Sequence, residues 1–210
     1  MTDSSHSKPL DSYLHPSVAV DTAVLTATDK LCVLLVRSGD DLRLPGTFLH
    51  EGETLADAVL RSLRLKAGVI GLSPKQLYVF DDPKRDDRGW VLSIAHLDAV
   101  PADRLAIDAS LATLVPVAEL PTLPYGHDLI VQSAVEALRA EYAEHPDPRE
   151  LLRGPFTLRD LQRLHEVVAG EALPRDTFRR AMEPRLNPTG ATGQGMVGKP
   201  ARLFERKVQK

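Results

Sequence analysis

A proline-rich stretch divides this chain into two parts of opposite charge. Residues 145–155 contain three prolines and a glycine, which stop helices and restrict the backbone. Before Arg149 the chain carries 13 basic and 22 acidic residues, a net charge of −9, whereas residues 149–210 carry 13 basic and 7 acidic residues, a net charge of +6. The sequence therefore predicts a flexible segment at 1–16, an acidic module at 17–148 and a basic module at 149–210.

Neither export nor a membrane span is predicted from the hydropathy pattern. Residues 1–16 are polar and lack the apolar core of a signal peptide. The longest apolar run, Leu31–Val36, is too short to cross a bilayer. Cys32 lies inside that run and is expected to pack as a small hydrophobic side chain rather than act as a nucleophile. We expect a cytoplasmic protein with no membrane partner.

The first module alternates strand and helix patterns. Two β-rich runs, Val18–Thr26 and Leu31–Val36, flank a polar turn and predict a hairpin. Residues Leu55–Ala67 are predicted to form a helix, with Thr54 as N-cap and Asp57 as its capping-box partner. The remaining predicted elements are strands at 76–80, 91–98 and 114–117, a helix at 129–142, and loops at 44–47 and 81–89. This order predicts an α/β module with a mixed sheet and two helices.

The loop and helix between Pro45 and Val69 keep a characteristic spacing of acidic, basic and glycine residues. Glu53 is followed after seven residues by Arg61, and Gly68 and Val69 follow at the end of the helix. This segment resembles a Nudix box, whose pattern is Gly, five residues, Glu, seven residues, Arg-Glu-apolar, any residue, Glu-Glu, any residue, Gly-apolar. Thr47 replaces the first Gly of the pattern. The resemblance implies a Nudix-like α/β/α sandwich.

The same segment lacks the carboxylates that Nudix enzymes use. The three remaining glutamates of the family pattern fall at Ser62, Leu65 and Lys66, which share one helix face. In active family members that face gathers carboxylates around Mg²⁺, which activates water and neutralises the diphosphate. A hydroxyl, an alkyl chain and an ammonium do not supply such ligands. We therefore predict no catalytic residue, no metal site and no Nudix hydrolysis.

The residues around the box are candidates for binding a nucleotide. A diphosphate favours Arg, and an adenine favours an aromatic or apolar wall. The candidate ligand-binding residues are Arg43, Phe48, Glu53, Arg61, Lys66, Arg85 and Arg88. For Glu53 and Arg61 we favour a structural pair that braces the loop, and for residues 81–88 a solvated loop is an equal alternative. Trp90 borders that loop, and a role in the core or at a dimer interface is an equal alternative to a ligand contact; His127 is expected to cap or pack.

The second module has the pattern of a winged helix-turn-helix. Residues Thr157–Ala169 predict a capped amphipathic helix, and Leu173–Pro174 open a second helix with Pro at its first position. A glycine-rich stretch and a short strand with alternating Arg and apolar residues predict a β-wing. The candidate DNA-binding residues are Arg175, Thr177, Arg179, Arg180, Lys199 and Arg202. From the residues alone, such a basic module suits DNA, RNA or a protein partner.

Taken together, the segments resemble one family over residues 16–206. Besides the box, the resemblance includes residues 82–89, just before the strand 90–94, and residues 120–128, 156–162, 178–180 and 198–203. Nudix-related transcriptional regulators of NAD metabolism, the NrtR family, pair a Nudix-like mixed α/β/α sandwich with a C-terminal winged helix-turn-helix domain. The resemblance implies a homodimeric repressor of NAD biosynthesis or salvage genes that binds palindromic double-stranded operator DNA.

The same resemblance implies ADP-ribose or a related nucleotide as the effector, with no required cofactor. Arg175, Arg179 and Arg180 would then enter or flank a major groove, and Lys199 and Arg202 would hold phosphates or reach a minor groove. The alternative is a Nudix hydrolase that cleaves ADP-ribose or a related nucleoside diphosphate compound. Such an enzyme would use carboxylates outside the usual set, such as Glu51, Glu53 or the pair Asp81 and Asp82.

Overall fold

The computed structural model describes residues 8–193 and 200–207 and shows an α/β architecture followed by a smaller module of helices and strands. The elements are β1 (Ser17–Ala27), β2 (Leu31–Ser38), β3 (Asp41–Arg43), β4 (Gly46–Phe48), α1 (Leu55–Ala67), β5 (Lys75–Phe80), β6 (Val91–Ala99), β7 (Ala112–Pro116), α2 (His127–Glu144), β8 (Phe156–Thr157), α3 (Leu158–Ala169), α4 (Arg175–Met182), β9 (Leu186–Thr192) and β10 (Arg202–Arg206). Within the described ranges, no helix combines the length and apolarity needed to cross a membrane.

Seven strands of the first module form a mixed sheet around β1. This strand pairs in parallel with β6 along one edge and antiparallel with β2 and β4 along the other. β5 extends the sheet beside β6, while β3 and β7 pair with β2. α1 covers one face through Val59 and Leu63, and α2 covers the other through Ile130 and Leu138. The predicted α/β/α sandwich is confirmed.

Local sequence signals fix both ends of α1. The Thr54 hydroxyl accepts a hydrogen bond from the Asp57 backbone amide, and the Asp57 carboxylate accepts one from the Thr54 amide. At the other end Gly68 has φ of 69°, a left-handed conformation that glycine adopts without steric cost. The capping box and the glycine stop were both predicted, and they fix where the helix that carries Leu65 and Lys66 begins and ends.

Residues 41–48 differ from the prediction, which placed a loop at 44–47. The structure forms two strands of three residues here, β3 and β4, and β4 pairs with β1. Strands this short carry no readable alternation of apolar and polar residues. Gly46 is required at this crossing because a Cβ atom there would lie 1.9 Å from Oδ1 of Asp21. The close approach of β4 to β1 therefore depends on a missing side chain.

The second module consists of α3, α4 and a three-stranded antiparallel sheet in the order β8, β10, β9. Phe156, Leu161, Phe178 and Phe204 pack in its core. The predicted winged helix-turn-helix is confirmed, including the capping box at the start of α3. Pro174 is the N-cap of α4 rather than its first residue, because its ψ of 118° is extended. The glycine-rich wing residues 194–199 lie outside the described residues.

The proline-rich segment joins the two modules instead of separating them. Leu164 and Val168 of α3 belong to the same hydrophobic cluster as the inner face of α2. Asp147 is fully buried and accepts hydrogen bonds from the Tyr142 hydroxyl at 2.7 Å and from Arg206 of β10 at 2.6 Å. The predicted boundary between 148 and 149 therefore falls in a segment that contacts both modules.

Candidate ligand cleft and nucleic-acid interface

A cleft of about 510 Å³ opens where β1, β4, the end of α1 and the loop after β5 meet. The predicted ligand-binding residues that line it are Arg43, Phe48, Lys66, Arg85 and Arg88. They come from four separate parts of the chain, so only the fold brings them together. Glu53 and Arg61 do not line this cleft and face a neighbouring cavity of about 440 Å³.

A buried carboxylate that the sequence analysis missed forms the floor of the cleft. Asp21 accepts a 2.6 Å hydrogen bond from the Ser93 hydroxyl and lies 3.3 Å from His127 Nε2 and 3.7 Å from an Arg85 nitrogen. Burial raises the pKa of Asp21, but its bonds to His127 and Ser93 and the charge of Arg85 outweigh burial and hold the pKa below its usual value. An acidic residue in the middle of an otherwise apolar strand was the available signal.

His127 fixes this carboxylate from the start of α2. Its Nδ1 accepts a 3.1 Å hydrogen bond from the Leu44 backbone amide, so the hydrogen-bond network leaves Nε2 to donate to Asp21. His127 is buried, as a packing residue should be, but its side chain does not cap the helix. Its contacts tie the N-terminus of α2 to the cleft floor.

Cationic and aromatic side chains form the cleft wall. Arg88 donates two hydrogen bonds to Asp86, at 2.8 and 2.6 Å, and its guanidinium lies 4.1 Å from the Tyr125 ring centroid and 5.3 Å from that of Phe48. The Arg43 guanidinium lies 5.3 Å from the same Tyr125 ring centroid. The bonds from Arg88 lower the pKa of Asp86. These contacts hold charged groups beside aromatic faces suited to a base or ribose.

Tyr125 was not predicted as a site residue. Its φ of 62° is left-handed, a conformation that costs a non-glycine residue of order 1–3 kcal/mol. The Tyr125 carbonyl accepts a 2.8 Å hydrogen bond from Arg85, which helps to hold the turn. Asp86 and the Arg85 side chain are buried beside the cleft, whereas residues 81–84 and Asp87 are exposed and the Arg88 side chain is 50% exposed. The solvated-loop alternative therefore describes most of this loop but not Arg85 and Asp86.

The face of α1 that would hold a divalent ion in a Nudix enzyme does not fit one. The Ser62 hydroxyl is buried without a hydrogen-bond partner, Leu65 is 61% exposed, and the Lys66 ammonium donates to the Gly46 carbonyl. Partial burial lowers the pKa of Lys66, and nearby Arg side chains lower it further against the opposing charge of Asp21. Among the residues that the structure describes, no group of three or more His, Cys, Asp or Glu side chains is placed to hold a metal ion.

Glu53 and Arg61 contact each other on the outer side of β4. Arg61 donates to both carboxylate oxygens of Glu53, at 2.7 and 2.8 Å, and also to the Thr47 hydroxyl and the Phe48 carbonyl. The bonds from Arg61 lower the pKa of Glu53 to about 2. The geometry agrees with a structural pair that braces β4, and through β4 it positions the cleft residue Phe48.

The predicted DNA-binding residues of α4 lie on the solvent-exposed surface of the second module. Arg175, Thr177, Arg179 and Arg180 are all exposed, and so is Arg202 of β10. Glu183 joins helix and wing, because it accepts from Arg179 at 2.7 Å and from Arg202 at 2.9 Å. Lys199, the sixth predicted residue, lies outside the described residues.

Two arginines of α3 extend this surface and were missed. Arg159 and Arg163 line a groove of about 560 Å³ with Arg175 and Arg179 of α4. Their spacing of four residues on the polar face of α3 was the signal that could have found them. Exposed cations along a helix pair of this shape suit the phosphates of a nucleic acid.

Trp90 is 46% exposed and does not belong to the core. The core alternative is therefore wrong, and the ligand-contact and dimer-interface alternatives stay predictions. The single cysteine is buried and free, as expected for a small hydrophobic residue.

Comparison with known proteins identifies the family of this chain. Residues 148–205 match the family model described as the NrtR DNA-binding winged helix domain. The crystal structure of Shewanella oneidensis NrtR complexed with a 27mer DNA covers 90% of this chain and 93% of its own, with 30% sequence identity and a TM-score of 0.75. The chain belongs to the NrtR family. The match spans both modules, so the family relation does not rest on the Nudix-like part alone.

Other relatives of this NrtR-family chain differ in what they do. The ADPR responsive transcriptional repressor NtrR of Acinetobacter baylyi is 27% identical over 94% of this chain and 84% of its own length. An ADP-ribose pyrophosphatase of Methanocaldococcus jannaschii is 34% identical over 57% of this chain and 73% of its own length. The NUDIX domain of Shewanella oneidensis NrtR has been crystallised with ADP ribose, and it matches 66% of this chain with 27% identity and a TM-score of 0.55.

Proposed function

We propose that this protein is a DNA-binding transcriptional repressor whose Nudix-like module binds ADP-ribose or a related nucleotide. The observation that carries the proposal is the presence on one chain of a cationic, aromatic cleft and an arginine-bearing winged helix. Residues 17–148 form the sensing module and residues 149–210 the DNA-binding module. In this proposal the repressor controls genes of NAD biosynthesis or salvage.

The cleft residues divide by the part of the nucleotide that they suit. Arg43, Lys66, Arg85 and Arg88 match a diphosphate, which accepts charge-assisted hydrogen bonds. Phe48 and Tyr125 offer aromatic surface for a base or ribose. Glu53 and Arg61 act indirectly, because they brace β4 from outside the cleft.

In this proposal the protein binds DNA as a homodimer. Two copies would place two α4 helices in successive major grooves of a palindromic operator, about 34–36 Å apart. Arg175, Arg179 and Arg180 are the candidates for base or backbone contact on α4. Neutralising several phosphates on each half-site makes affinity fall steeply with salt concentration.

α2 offers a physical route between cleft and DNA-binding module. Its first residue, His127, contacts the cleft floor, and Tyr142 near its end lies 5.1 Å from the ring of His165 in α3. His165 lies 5.0 Å from the ring of Phe178 in α4. If the nucleotide and the DNA favour different orientations of the DNA-binding module, each weakens the binding of the other by one shared coupling free energy, typically about 1–3 kcal/mol.

The same proposal assigns no hydrolase activity to the cleft. The donor set at Ser62, Leu65 and Lys66 gives a divalent ion no carboxylate ligand on the α1 face. Similarity to an ADP-ribose pyrophosphatase keeps hydrolysis as the alternative function. Release of AMP from ADP-ribose in the presence of Mg²⁺ would establish that alternative, and its absence agrees with a sensor.

Selection of genomic DNA fragments by the purified protein, with and without ADP-ribose, tests the proposal. We expect enrichment of a palindromic site near genes of NAD metabolism, reduced when ADP-ribose is added. Enrichment that ADP-ribose leaves unchanged would remove this ligand as the effector. No enrichment at low salt would overturn the assignment to DNA binding.

A further inference from the structure

The cleft carries more positive charge than its own carboxylates neutralise. Among the described residues that line it, five side chains are cationic and two are carboxylates. The cations are Arg37, Arg43, Lys66, Arg85 and Arg88, and the carboxylates are Asp21 and Asp86. Both carboxylates already have partners within the protein. The surplus complements a bare diphosphate better than one already neutralised by a divalent ion.

Lys66 occupies a central place in this surplus. It lies at a position where the Nudix pattern has a metal-binding glutamate, on the last turn of α1. Its ammonium donates to the Gly46 carbonyl, and its nearest charged neighbours include Asp21, Arg43 and Arg88. The side chain is partly exposed to the cleft, so its remaining donors are available to an anion.

The surroundings of Lys66 exclude the usual alternative of a bound divalent ion. Ser62, at the first of the three glutamate positions on this face, is buried with its hydroxyl unpartnered. Leu65 is an exposed alkyl side chain that offers no oxygen. A hard cation needs several oxygen ligands, and an ammonium in their place repels it.

We propose that Lys66 replaces the divalent ion of Nudix enzymes, so that the cleft binds the diphosphate of its nucleotide directly and without metal. This inference rests on the proposed function, in which the effector is a nucleotide with a diphosphate. It adds the chemical means of recognition: a fixed ammonium, with Arg85 and Arg88 beside it, supplies the positive charge. The same substitution explains how a Nudix-like cleft holds its ligand intact.

Calorimetric titration of the full-length protein with ADP-ribose, in EDTA and in MgCl₂, tests metal independence. We expect dissociation constants that agree within about twofold in the two buffers, because the positive charge belongs to the protein. Lys66→Met keeps the aliphatic stem and removes the charge, and we expect binding about 10- to 100-fold weaker. Lys75→Met, a matched change at an exposed position outside the cleft, should leave affinity unchanged.

A second variant restores the carboxylates of the Nudix pattern at accessible positions. Leu65→Glu combined with Lys66→Glu places two carboxylates on the cleft edge without disturbing the core, since both side chains are exposed. We expect weak binding in EDTA and recovery of about tenfold or more in MgCl₂. Thermal unfolding of each variant, compared with the parent, verifies that the fold is retained.

The outcomes separate this inference from the function on which it rests. Binding of ADP-ribose by the parent protein that EDTA abolishes would overturn the role of Lys66 and leave the sensor proposal standing. Unchanged affinity in Lys66→Met, or tight binding by the double variant in EDTA, would overturn it as well. Absence of ADP-ribose binding by the parent in both buffers would instead overturn the proposed effector.

Discussion

Arginine is abundant in both modules, but its surroundings differ between the cleft and the DNA-binding surface. In the cleft, Arg85 is 8% exposed, and Arg88, although 50% exposed, is bonded to Asp86 and stacked on an aromatic ring. On α4, Arg179 is 56% exposed and bonded only to Glu183 among its charged neighbours. A fixed guanidinium suits a small ligand of defined shape, because little entropy is lost on binding. An exposed guanidinium can adjust its position, which suits contacts to a DNA backbone.

The largest expected effect is a loss of stability at low pH through His165, which packs between Tyr142 of α2 and Phe178 of α4. Burial lowers the pKa of His165 to about 4, below its usual 6.5. The unfolded chain therefore takes up a proton that the folded chain does not between pH 6.5 and 4, and the folded state loses up to about 3 kcal/mol of stability as pH falls through this window. We expect His165→Phe, which keeps an aromatic ring between Tyr142 and Phe178, to remove most of this loss.

Urea unfolding at several pH values, followed by Trp90 fluorescence and by far-ultraviolet circular dichroism, measures this effect. The only tryptophan of the chain lies in the first module, so coincident transitions would show that both modules unfold as one unit. An equal loss of stability on acidification in the parent and His165→Phe would contradict the assignment to His165.

The second prediction concerns the most buried cation of the cleft. We expect Arg85→Ala to weaken ADP-ribose binding about 100-fold, because it removes a donor to the ligand and leaves Asp21 with fewer partners. DNA affinity in the absence of ligand should stay unchanged. Titration calorimetry checks the first statement, with the exposed neighbour Lys84→Ala as control. Equal losses of ADP-ribose affinity in Arg85→Ala and Lys84→Ala would show that the buried cation contributes no more to binding than the exposed one.

A smaller effect is expected on the DNA-binding surface. Arg175→Ala should weaken operator binding about tenfold and reduce the slope of log affinity against log salt by about one. Fluorescence anisotropy with a labelled operator at several salt concentrations measures both. Arg64→Ala, an exposed change on α1, should alter neither quantity. A loss of affinity with an unchanged salt slope would show that Arg175 contacts a base and not a phosphate.

The smallest effect is expected for the bridge between helix and wing. Glu183→Gln releases Arg179 and Arg202 and removes a negative charge, but exposed ion pairs contribute little. We expect non-specific DNA to bind about two- to threefold more tightly while operator affinity stays the same, so specificity falls. Competition between operator and random DNA measures this ratio. A tenfold loss of operator affinity would show instead that the bridge fixes both arginines as firmly as the cleft holds Arg88.

Much of the architecture follows from local sequence signals. The capping boxes at Thr54 and Thr157 and the stops at Gly68 and Gly170 are satisfied within a few residues of chain, so the bounds of α1 and α3 agree with the prediction. The spacing of the Nudix box and the charge difference between the modules are also properties of the chain alone. They sufficed for the fold class and the family.

Tertiary structure decided what no local signal carries. Asp21, Tyr125 and Lys66 are distant in the chain, and they meet only because β4 crosses β1 at a glycine and the loop after β5 folds back over the cleft. Likewise, the proline-rich segment suggests a separation, yet Asp147 within it binds both modules together. The sequence determined which charges are present, because composition and spacing are linear. Only the fold decided which are buried, paired or free, because those depend on neighbours far along the chain.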